Sequence, residues 1–321
     1  MIRNYEPSDA AGLLALWNSA GTAMGYAPLD EAGLAKYLTG HPDFSPKYSF
    51  VLERRGKVLG FINGTTGNHI PKGDVRGYCT CLILGQDADD PENTRAMLET
   101  LEDAFRAAGR KFCAVTFFNP IRLPWILPGT PGHQHNNMPG VPTDLPLYTR
   151  MIHEGYICGA TEQAMYLNLA EFQMPQAILE RREKMAGEGY TVAQYDPKCH
   201  AGLGEMLEAL GNPMWISEIS QAGESGMNLL VGLHGNRVAG FTGPIYPEKT
   251  GRGYFAGIGV APEFEHHGLG TLLFYSLLEK EKEAGAAYMS LFTGTENPAR
   301  YIYEGAGFRV VRKFGVMLKE L

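Results

Sequence analysis

The chain has no long apolar run, neither at its N-terminus nor elsewhere. The opening residues, M-I-R-N-Y-E-P, contain no hydrophobic signal core. No uninterrupted apolar stretch among the 321 residues reaches the length that a membrane-spanning helix needs. We therefore expect a cytoplasmic protein with no membrane partner.

An excess of basic residues is also missing. The chain contains 28 Lys and Arg against 35 Asp and Glu, which gives a formal net charge of −7. Proteins that bind nucleic acids need a positive surface to neutralise phosphates. We therefore expect no nucleic-acid partner. A small amine would suit an acidic protein, although charge alone does not establish one.

Paired cysteines and metal-ligand motifs are scarce. The five cysteines are odd in number and form no C-x-x-C pair, which favours reduced and mostly buried thiols. His133 and His135 form an H-x-H pair without a third ligand nearby. A structural or catalytic zinc needs at least three protein ligands, so we predict no metal.

The most informative feature that is present is the segment V-A-P-E-F-E-H-H-G-L-G-T, residues 260–271. It follows a predicted strand, Tyr254 to Val260, and leads into a helix predicted to end at Gly285. Gly268 and Gly270 have no side chains, so the backbone N–H groups of this segment can turn toward a single bound group. The helix start adds its own unpaired N–H groups and the positive end of its dipole. The segment therefore predicts a site for an anion such as a pyrophosphate.

The predicted helix has one apolar face and one charged face. Leu269, Leu272, Leu273, Ser276 and Leu277 recur at helical spacing and predict a buried side, with charged residues 279–283 opposite. A strand, Tyr288 to Thr293, is predicted next. The following segment T-E-N-P-A-R-Y-I-Y-E-G-A-G-F predicts a loop, a short helix and a glycine turn before a last strand, Arg309 to Leu318.

These two segments resemble two motifs of the GCN5-related N-acetyltransferase (GNAT) superfamily. The first is similar to the pyrophosphate loop of that family, written V-x-P-x-x-[RQ]-x-x-G-x-G, and the second to its N-P-A-R-x-x-Y-E-x-x-G-F element. The matching residues are Val260, Pro262, Gly268, Gly270, Asn297, Pro298, Ala299, Arg300, Tyr303, Glu304, Gly307 and Phe308. The Arg or Gln of the family pattern is Glu265 here. Glu265 must then point away from the phosphates, and His266 and His267 offset its charge.

The resemblance implies a direct transfer of an acetyl group from acetyl-CoA, as co-substrate, to an amine. It implies that Tyr303 protonates the departing thiolate. It also implies a set of residues that bind acetyl-CoA: Ile258, Val260, His266, His267, Gly268, Gly270, Thr271 and Asn297. Simpler structural roles remain open, because Tyr303 could be a packed helix tyrosine and Asn297 a helix cap.

The general base is not marked by the sequence. The predicted strand Tyr254 to Val260 carries no carboxylate. Candidates for accepting the amine proton are Glu218, Glu224, His234 and a water relay. The pattern does not decide among them.

The same order of elements occurs twice along the chain. The hairpin segment Gly56 to Phe61 is repeated by Gly235 to Phe241. When the helices ending at Gly109 and Gly285 are aligned, Gly268 corresponds to Glu92. The fold prediction is therefore α+β, with two GNAT-like domains, each a mixed and mostly antiparallel sheet flanked by helices. We expect a domain without the CoA loop at 1–172, a linker helix at 173–189 and a domain with the acyl-CoA site at 190–321.

The N-terminal half carries one insertion, at residues 119–146. It is rich in proline and contains Arg122, Trp125, His133, His135, Asn136 and Asn137. Long loops without regular structure are uncommon in compact domains and are often functional. The insertion either covers the active site and contacts substrate, or is a packing loop.

These observations favour an N-acetyltransferase that acts on the amine of a small molecule. One alternative is a non-catalytic acyl-CoA-binding or sensor protein, favoured by Glu265 and by the missing strand carboxylate. A second is an aminoacyl-tRNA-dependent transferase, which the acidic net charge disfavours. The acceptor, the acyl-chain length and the oligomeric state stay open.

Overall fold

The computed structural model describes all 321 residues, and these divide into two compact units. Unit 1 consists of Met1–Ala164, Phe292–Glu296 and Val310–Leu321, and unit 2 of Met165–Leu291 and Asn297–Arg309. The division into domains at 1–172 and 190–321 stays a prediction. The boundaries of the compact units differ from those of the predicted domains, because the last strand of the chain completes the sheet of unit 1. No helix is both long and apolar enough to cross a membrane.

The strands are numbered in chain order. They are β1 (Ile2–Asn4), β2 (Ser49–Arg54), β3 (Lys57–Thr65), β4 (Arg76–Leu84), β5 (Phe112–Val115), β6 (Trp125–Ile126), β7 (Gln134–His135), β8 (Val141–Pro142), β9 (Ile157–Asn168), β10 (Tyr190–Gln194), β11 (Leu230–His234), β12 (Arg237–Thr242), β13 (Arg252–Gly253), β14 (Ile258–Val260), β15 (Tyr288–Gly294) and β16 (Arg309–Glu320).

The α-helices are numbered in the same way. They are α1 (Ala10–Leu16), α2 (Thr22–Met24), α3 (Glu31–Leu34), α4 (Pro91–Ala107), α5 (Pro146–His153), α6 (Gln176–Gly187), α7 (Leu203–Leu210), α8 (Pro213–Ser225), α9 (Leu269–Glu283) and α10 (Arg300–Gly305). Short 3-10 turns occur at Pro7–Asp9, Pro46–Tyr48, Gln86–Ala88 and Pro262–Phe264, and π-helical turns at Trp17–Gly21 and Ala35–Thr39.

Unit 1 is built on a mixed sheet with strand order β1-β2-β3-β4-β5-β16-β9. The β4–β5 pair is parallel, whereas the pairs β1–β2, β2–β3, β3–β4 and β5–β16 are antiparallel. Helix α4 buries the face that carries Met97, Leu98, Leu101 and Phe105. That face packs in one core cluster with Met317 of β16.

Unit 2 is built on an antiparallel sheet, β10-β11-β12-β14, and on a parallel pair, β13–β15. Helix α9 begins at Leu269, as predicted, and its predicted apolar face is buried. The predicted charged face is wrong in one position. Glu281 is fully buried, because α9 passes close to Gly253 and the Glu281 carboxylate accepts a hydrogen bond from the backbone N–H of Tyr246 at 3.2 Å.

The architecture confirms the α+β prediction of mixed, mostly antiparallel sheets flanked by helices. Two local predictions are wrong. The strand expected from Tyr254 to Val260 is interrupted, since only 252–253 and 258–260 are strand. The insertion at 119–146 is not structureless, because Trp125–Ile126 and Gln134–His135 form a short antiparallel hairpin.

The insertion packs within unit 1 through its polar and aromatic side chains. The fully buried Trp125 donates its indole N–H to the backbone carbonyl of Asn137 at 2.8 Å. The Asn137 side chain donates in turn to the carbonyl of Phe117 at 2.9 Å. Trp125 also stacks on Phe292, with ring centroids 6.3 Å apart. These contacts support the packing role that the sequence left open for this segment.

Candidate functional site

The anion loop, residues 261–268, connects β14 to α9 in unit 2. Strand β14 is held by antiparallel pairing with β12, in which Val260 lies opposite Gly240. The chain then passes through the Pro262–Phe264 turn and adopts left-handed backbone conformations at His266 (φ 65°) and Gly268 (φ 87°). These two positive φ values turn the backbone sharply into the first turn of α9.

The beginning of α9 has no side-chain cap. Gly268 occupies the N-cap position and has no side chain to accept a hydrogen bond from the first turn. The N–H groups of Leu269, Gly270 and Thr271 are therefore not capped. The Gly268 carbonyl accepts from Leu272 at 3.1 Å, as in a normal first turn. An anion placed at this end would receive backbone hydrogen bonds and the favourable field of the helix dipole.

The two carboxylates of the anion loop both have cationic or ionisable neighbours. Glu263 forms an ion pair with Arg237 at 2.8 Å. The Glu265 carboxylate lies 3.9 Å from Nε2 of His266. His267 stacks on Tyr190 with ring centroids 5.1 Å apart. The ion pair of Glu263 with Arg237 makes the loop less negative than its sequence suggests.

Tyr303 of α10 lies in an aromatic cluster. Its side chain is buried, and its ring centroid is 4.7 Å from that of Phe274 and 6.3 Å from that of Phe255. Burial raises the pKa of the Tyr303 hydroxyl to about 12. The hydroxyl therefore stays protonated at neutral pH, as a proton donor must. Both roles left open by the sequence, packing and proton donation, fit this environment.

Asn297 precedes α10 and makes a local turn. Its side-chain oxygen accepts a hydrogen bond from the backbone N–H of Ala299 at 2.9 Å. Its backbone carbonyl accepts from Arg300 at 3.1 Å. Asn297 is not the cap of α10 that the sequence suggested, because the N-cap residue is Ala299; instead, its side chain fixes a turn just before the helix.

The strand break between β13 and β14 is held open by side chains. The indole N–H of Trp215 donates to the carbonyl of Ala256 at 3.1 Å, and the Thr242 hydroxyl donates to the carbonyl of Gly257 at 3.2 Å. Gly257 has φ 149°, and a Cβ there would lie 2.7 Å from Trp215. These contacts explain why the predicted strand is interrupted.

A tyrosine and a glutamate meet at this break. The Tyr254 hydroxyl donates a short hydrogen bond to the Glu218 carboxylate of α8. Burial first, and then Glu218, raise the pKa of Tyr254 well above its ordinary value. The Tyr254 ring stacks on Tyr246 with centroids 4.7 Å apart. Nothing in the sequence pattern indicated Tyr254, because the contact depends on where α8 packs.

The other two candidate bases lie elsewhere. Glu224 is exposed near the end of α8. The His234 ring packs on Tyr190 with centroids 4.6 Å apart, beside the ring of Phe264. Of the three side chains considered, the structure brings only Glu218 to the strand break.

In unit 1, the start of α4, which corresponds to the start of α9 in unit 2, is capped by a side chain. Asp90 caps α4, because its carboxylate accepts from the backbone N–H of Asn93 at 2.7 Å. The neighbouring Asp89 forms an ion pair with Arg150. A cavity of about 510 Å³ adjoins this region, and its lining includes Met24, Leu82, Leu84, Thr94, Leu147 and Arg150. No group of three or more His, Cys, Asp or Glu side chains in the structure is placed to hold a metal ion.

Comparison with known proteins gives the context of this site. Residues 182–308 match the model of the acetyltransferase (GNAT) family. No curated protein matches the chain significantly. Among solved structures, the chain resembles a GCN5-related N-acetyltransferase from Sphaerobacter thermophilus, with a TM-score of 0.63, 13% identity and coverage of 100% of this chain and 95% of the other.

Two further structures have the same fold. One is a tandem GNAT protein from the clavulanic acid biosynthesis pathway, with a TM-score of 0.60, 14% identity and coverage of 100% and 98%. The other is a fungal multi-domain β-N-acetylglucosaminidase with a GCN5-related glucosamine N-acetyltransferase region. There the TM-score is 0.69 at 17% identity, and the match covers 99% of this chain but 38% of that longer one. Residues 182–308 are thus a domain of the acetyltransferase (GNAT) family, and the chain as a whole has the tandem GNAT fold.

Proposed function

We propose that unit 2 transfers an acetyl group from acetyl-CoA to the amine of a small molecule. The observation that carries this proposal is the uncapped start of α9 behind the anion loop, within a GNAT-family domain. The N–H groups of His266, His267, Gly268, Gly270 and Thr271 are assigned to the pyrophosphate. The backbone of Ile258 and Val260 is assigned to the thioester end, and Asn297 to the pantetheine arm.

The chemistry requires two proton movements. The amine nitrogen forms a bond to the acetyl carbon, the carbon–sulfur bond breaks, the nitrogen loses a proton and the thiolate gains one. We assign the stabilisation of the developing oxyanion to backbone N–H groups of residues 258–260. We assign to Tyr303 the proton that the thiolate gains, since the Tyr303 hydroxyl is protonated at neutral pH.

On the acceptor side, we assign proton acceptance to Glu218. Its carboxylate already receives the Tyr254 hydroxyl hydrogen bond at the break between β13 and β14. A proton from the amine would reach Glu218 directly or by way of the Tyr254 oxygen. The stacked rings of Tyr246 and Tyr254 would form one wall of the acceptor site.

The test is a calorimetric titration of acetyl-CoA into the full chain and into two tryptophan variants. Gly268→Trp places a large side chain in the anion loop, where the backbone has φ 87°. Glu92→Trp makes the corresponding change in unit 1, at an exposed position. We expect one site per chain in wild type and Glu92→Trp, and none in Gly268→Trp with an unchanged circular dichroism spectrum. Absence of binding to wild type would contradict the proposal.

Turnover is then measured as thiol release from acetyl-CoA with a panel of small amines. The panel includes glucosamine, because one structural neighbour contains a glucosamine N-acetyltransferase region. An amine that gives saturable thiol release, lost in Gly268→Trp, supports the transferase.

A second candidate function is a non-catalytic acyl-CoA sensor. The absence of a carboxylate on residues 254–260 favours it. Saturable binding of acetyl-CoA without thiol release across the whole amine panel would support the sensor over the transferase.

A further inference from the structure

Helix α6 brings an arginine to the anion loop. Arg181 lies against Gly268, since a Cβ built on Gly268 would be 3.4 Å from Nη1 and 3.6 Å from Cδ of Arg181. The Arg181 side chain is exposed to solvent. No carboxylate lies within ion-pair distance of it, whereas the next residue, Arg182, is 3.3 Å from the Glu279 carboxylate.

Arg181 is also close enough to Tyr275 of α9 to interact with it electrostatically. Burial raises the pKa of Tyr275, and the Arg181 charge opposes that rise, which places the guanidinium near the phenol. A Cβ built on Gly305 of α10 would lie 3.5 Å from the Tyr275 hydroxyl. Arg181 is therefore close to the uncapped start of α9 and acts electrostatically on Tyr275 of the same helix.

The acidic side chains of the anion loop have other neighbours and do not form an ion pair with Arg181. Glu263 is neutralised by Arg237 at 2.8 Å, and the Glu265 carboxylate lies beside His266 at 3.9 Å. A guanidinium without a carboxylate partner, next to uncapped N–H groups, is the arrangement that binds phosphate oxygens well.

We propose that Arg181 binds the pyrophosphate of acyl-CoA and supplies from α6 the positive charge that Glu265 cannot supply from the loop. The proposal rests on the proposed function, since it names a further residue of the same acyl-CoA site. It also explains how a loop with Glu at this position can still bind a polyanion. The charge comes from a helix that precedes the sheet of unit 2 in the chain.

The test measures the dissociation constants of acetyl-CoA and of 3′-dephospho-CoA for wild type, Arg181→Ala and the matched control Arg182→Ala. We expect Arg181→Ala to weaken both ligands roughly five- to twentyfold, as loss of one charge-assisted hydrogen bond to phosphate does. Arg182→Ala should leave both constants within about twofold. The thermal midpoint of each variant shows whether the fold is kept.

A charge-relocation variant makes the test specific. Glu265→Arg in the Arg181→Ala background should recover most of the lost affinity, because it returns a guanidinium to the loop itself. Unchanged binding by Arg181→Ala, with binding still abolished by Gly268→Trp, would overturn the role of Arg181 and leave the proposed function intact.

The remaining outcomes are also decisive. Weakened binding of acetyl-CoA with unchanged binding of 3′-dephospho-CoA would move Arg181 to the 3′-phosphate and overturn the pyrophosphate assignment. Failure of wild type to bind either ligand would remove the acyl-CoA site, and the role of Arg181 with it.

Discussion

The corresponding helices of the two units, α4 in unit 1 and α9 in unit 2, begin in opposite ways. In unit 1, helix α4 begins at a capping aspartate, Asp90, whose carboxylate accepts the N–H of Asn93 at 2.7 Å. In unit 2, helix α9 begins at Gly268, which offers no side chain at all. One helix start is capped by a side chain of the protein itself, and the other has no side-chain cap.

The arginines near these helix starts show the same difference. Arg150 of unit 1 donates to the Asp89 side chain and to the hydroxyl of Thr94 in the first turn of α4. Arg181 of unit 2 lies against Gly268 without a carboxylate partner. The arginine near the start of α4 thus pairs with a neighbouring carboxylate, whereas the arginine near the start of α9 does not. The comparison teaches that a single aspartate of the chain is enough to cap a helix start that its counterpart in the other unit leaves uncapped.

The largest effect is expected on catalysis. Tyr303→Phe removes the proposed proton donor and should lower kcat about 10²-fold, with little change in the KM for acetyl-CoA. Steady-state thiol release checks this. The matched control is Tyr301→Phe, since Tyr301 is on the same helix but is 62% exposed. Equal kcat values for wild type and Tyr303→Phe would restrict Tyr303 to packing.

The second prediction compares two buried glutamates, one on each long helix. Glu102 of α4 receives hydrogen bonds from Tyr156 at 2.9 Å and from Lys319 at 2.7 Å. Glu281 of α9 has one oxygen, Oε2, with no partner, and burial raises its pKa to about 8. The same Glu→Gln change should therefore have opposite effects on the free energy of unfolding.

The pH dependence of Glu281 follows from the direction of its shift. Because the folded state favours the protonated acid, its contribution to stability is complete below about pH 4.5 and is lost as the pH rises toward 8. Glu281→Gln should be more stable than wild type by roughly 2–4 kcal/mol at pH 8, and equal to it near pH 4.

Denaturant unfolding across this pH range checks both glutamates. Glu102→Gln should lower the free energy of unfolding by roughly 1–3 kcal/mol at pH 7, since it leaves the Lys319 charge without its partner. A Glu281→Gln variant less stable than wild type at pH 8 would contradict the raised pKa.

The third prediction separates capping from ligand binding. Asp90→Ala should destabilise the chain by about 1 kcal/mol through loss of the α4 cap. The affinity for acetyl-CoA should not change, because the proposed site is in unit 2. Chemical denaturation and calorimetry of the same preparation measure the two quantities. A loss of acetyl-CoA affinity in Asp90→Ala would place a binding role in unit 1.

The smallest effect is expected at the ion pair between Arg150 and Asp89. Its carboxylate is about half exposed, so Arg150→Ala should cost no more than about 0.5–1 kcal/mol of stability. Acetyl-CoA affinity should be unaffected, in contrast to Arg181→Ala. Identical responses of the two variants in calorimetry would remove the distinction drawn between the two arginines.

The sequence predicts those parts of the fold that depend on local pattern. The buried face of α9 and the glycine at its start follow from helical periodicity and backbone conformation, and the structure has both. Such features can be predicted because the residues that determine them are close neighbours in the chain.

Features that depend on packing between distant segments were not predicted. The break at residues 254–257 is held by Trp215 and Thr242, which lie in other elements. The contact between Glu218 and Tyr254 and the approach of Arg181 to Gly268 depend in the same way on helix placement. Glu281 was predicted to be exposed because charge usually marks a solvated face, yet Tyr246 and Gly253 cover it.

The position of the last strand has a consequence for biosynthesis. Residues 310–321 belong to unit 1, where β16 pairs with β5 and buries Met317. The ribosome makes these residues only after all of 165–291, which form unit 2. One edge of strand β5 therefore stays without its β16 partner until residues 310–321 have been translated. Unpaired strand edges favour misassociation, so the nascent chain carries that risk during this interval.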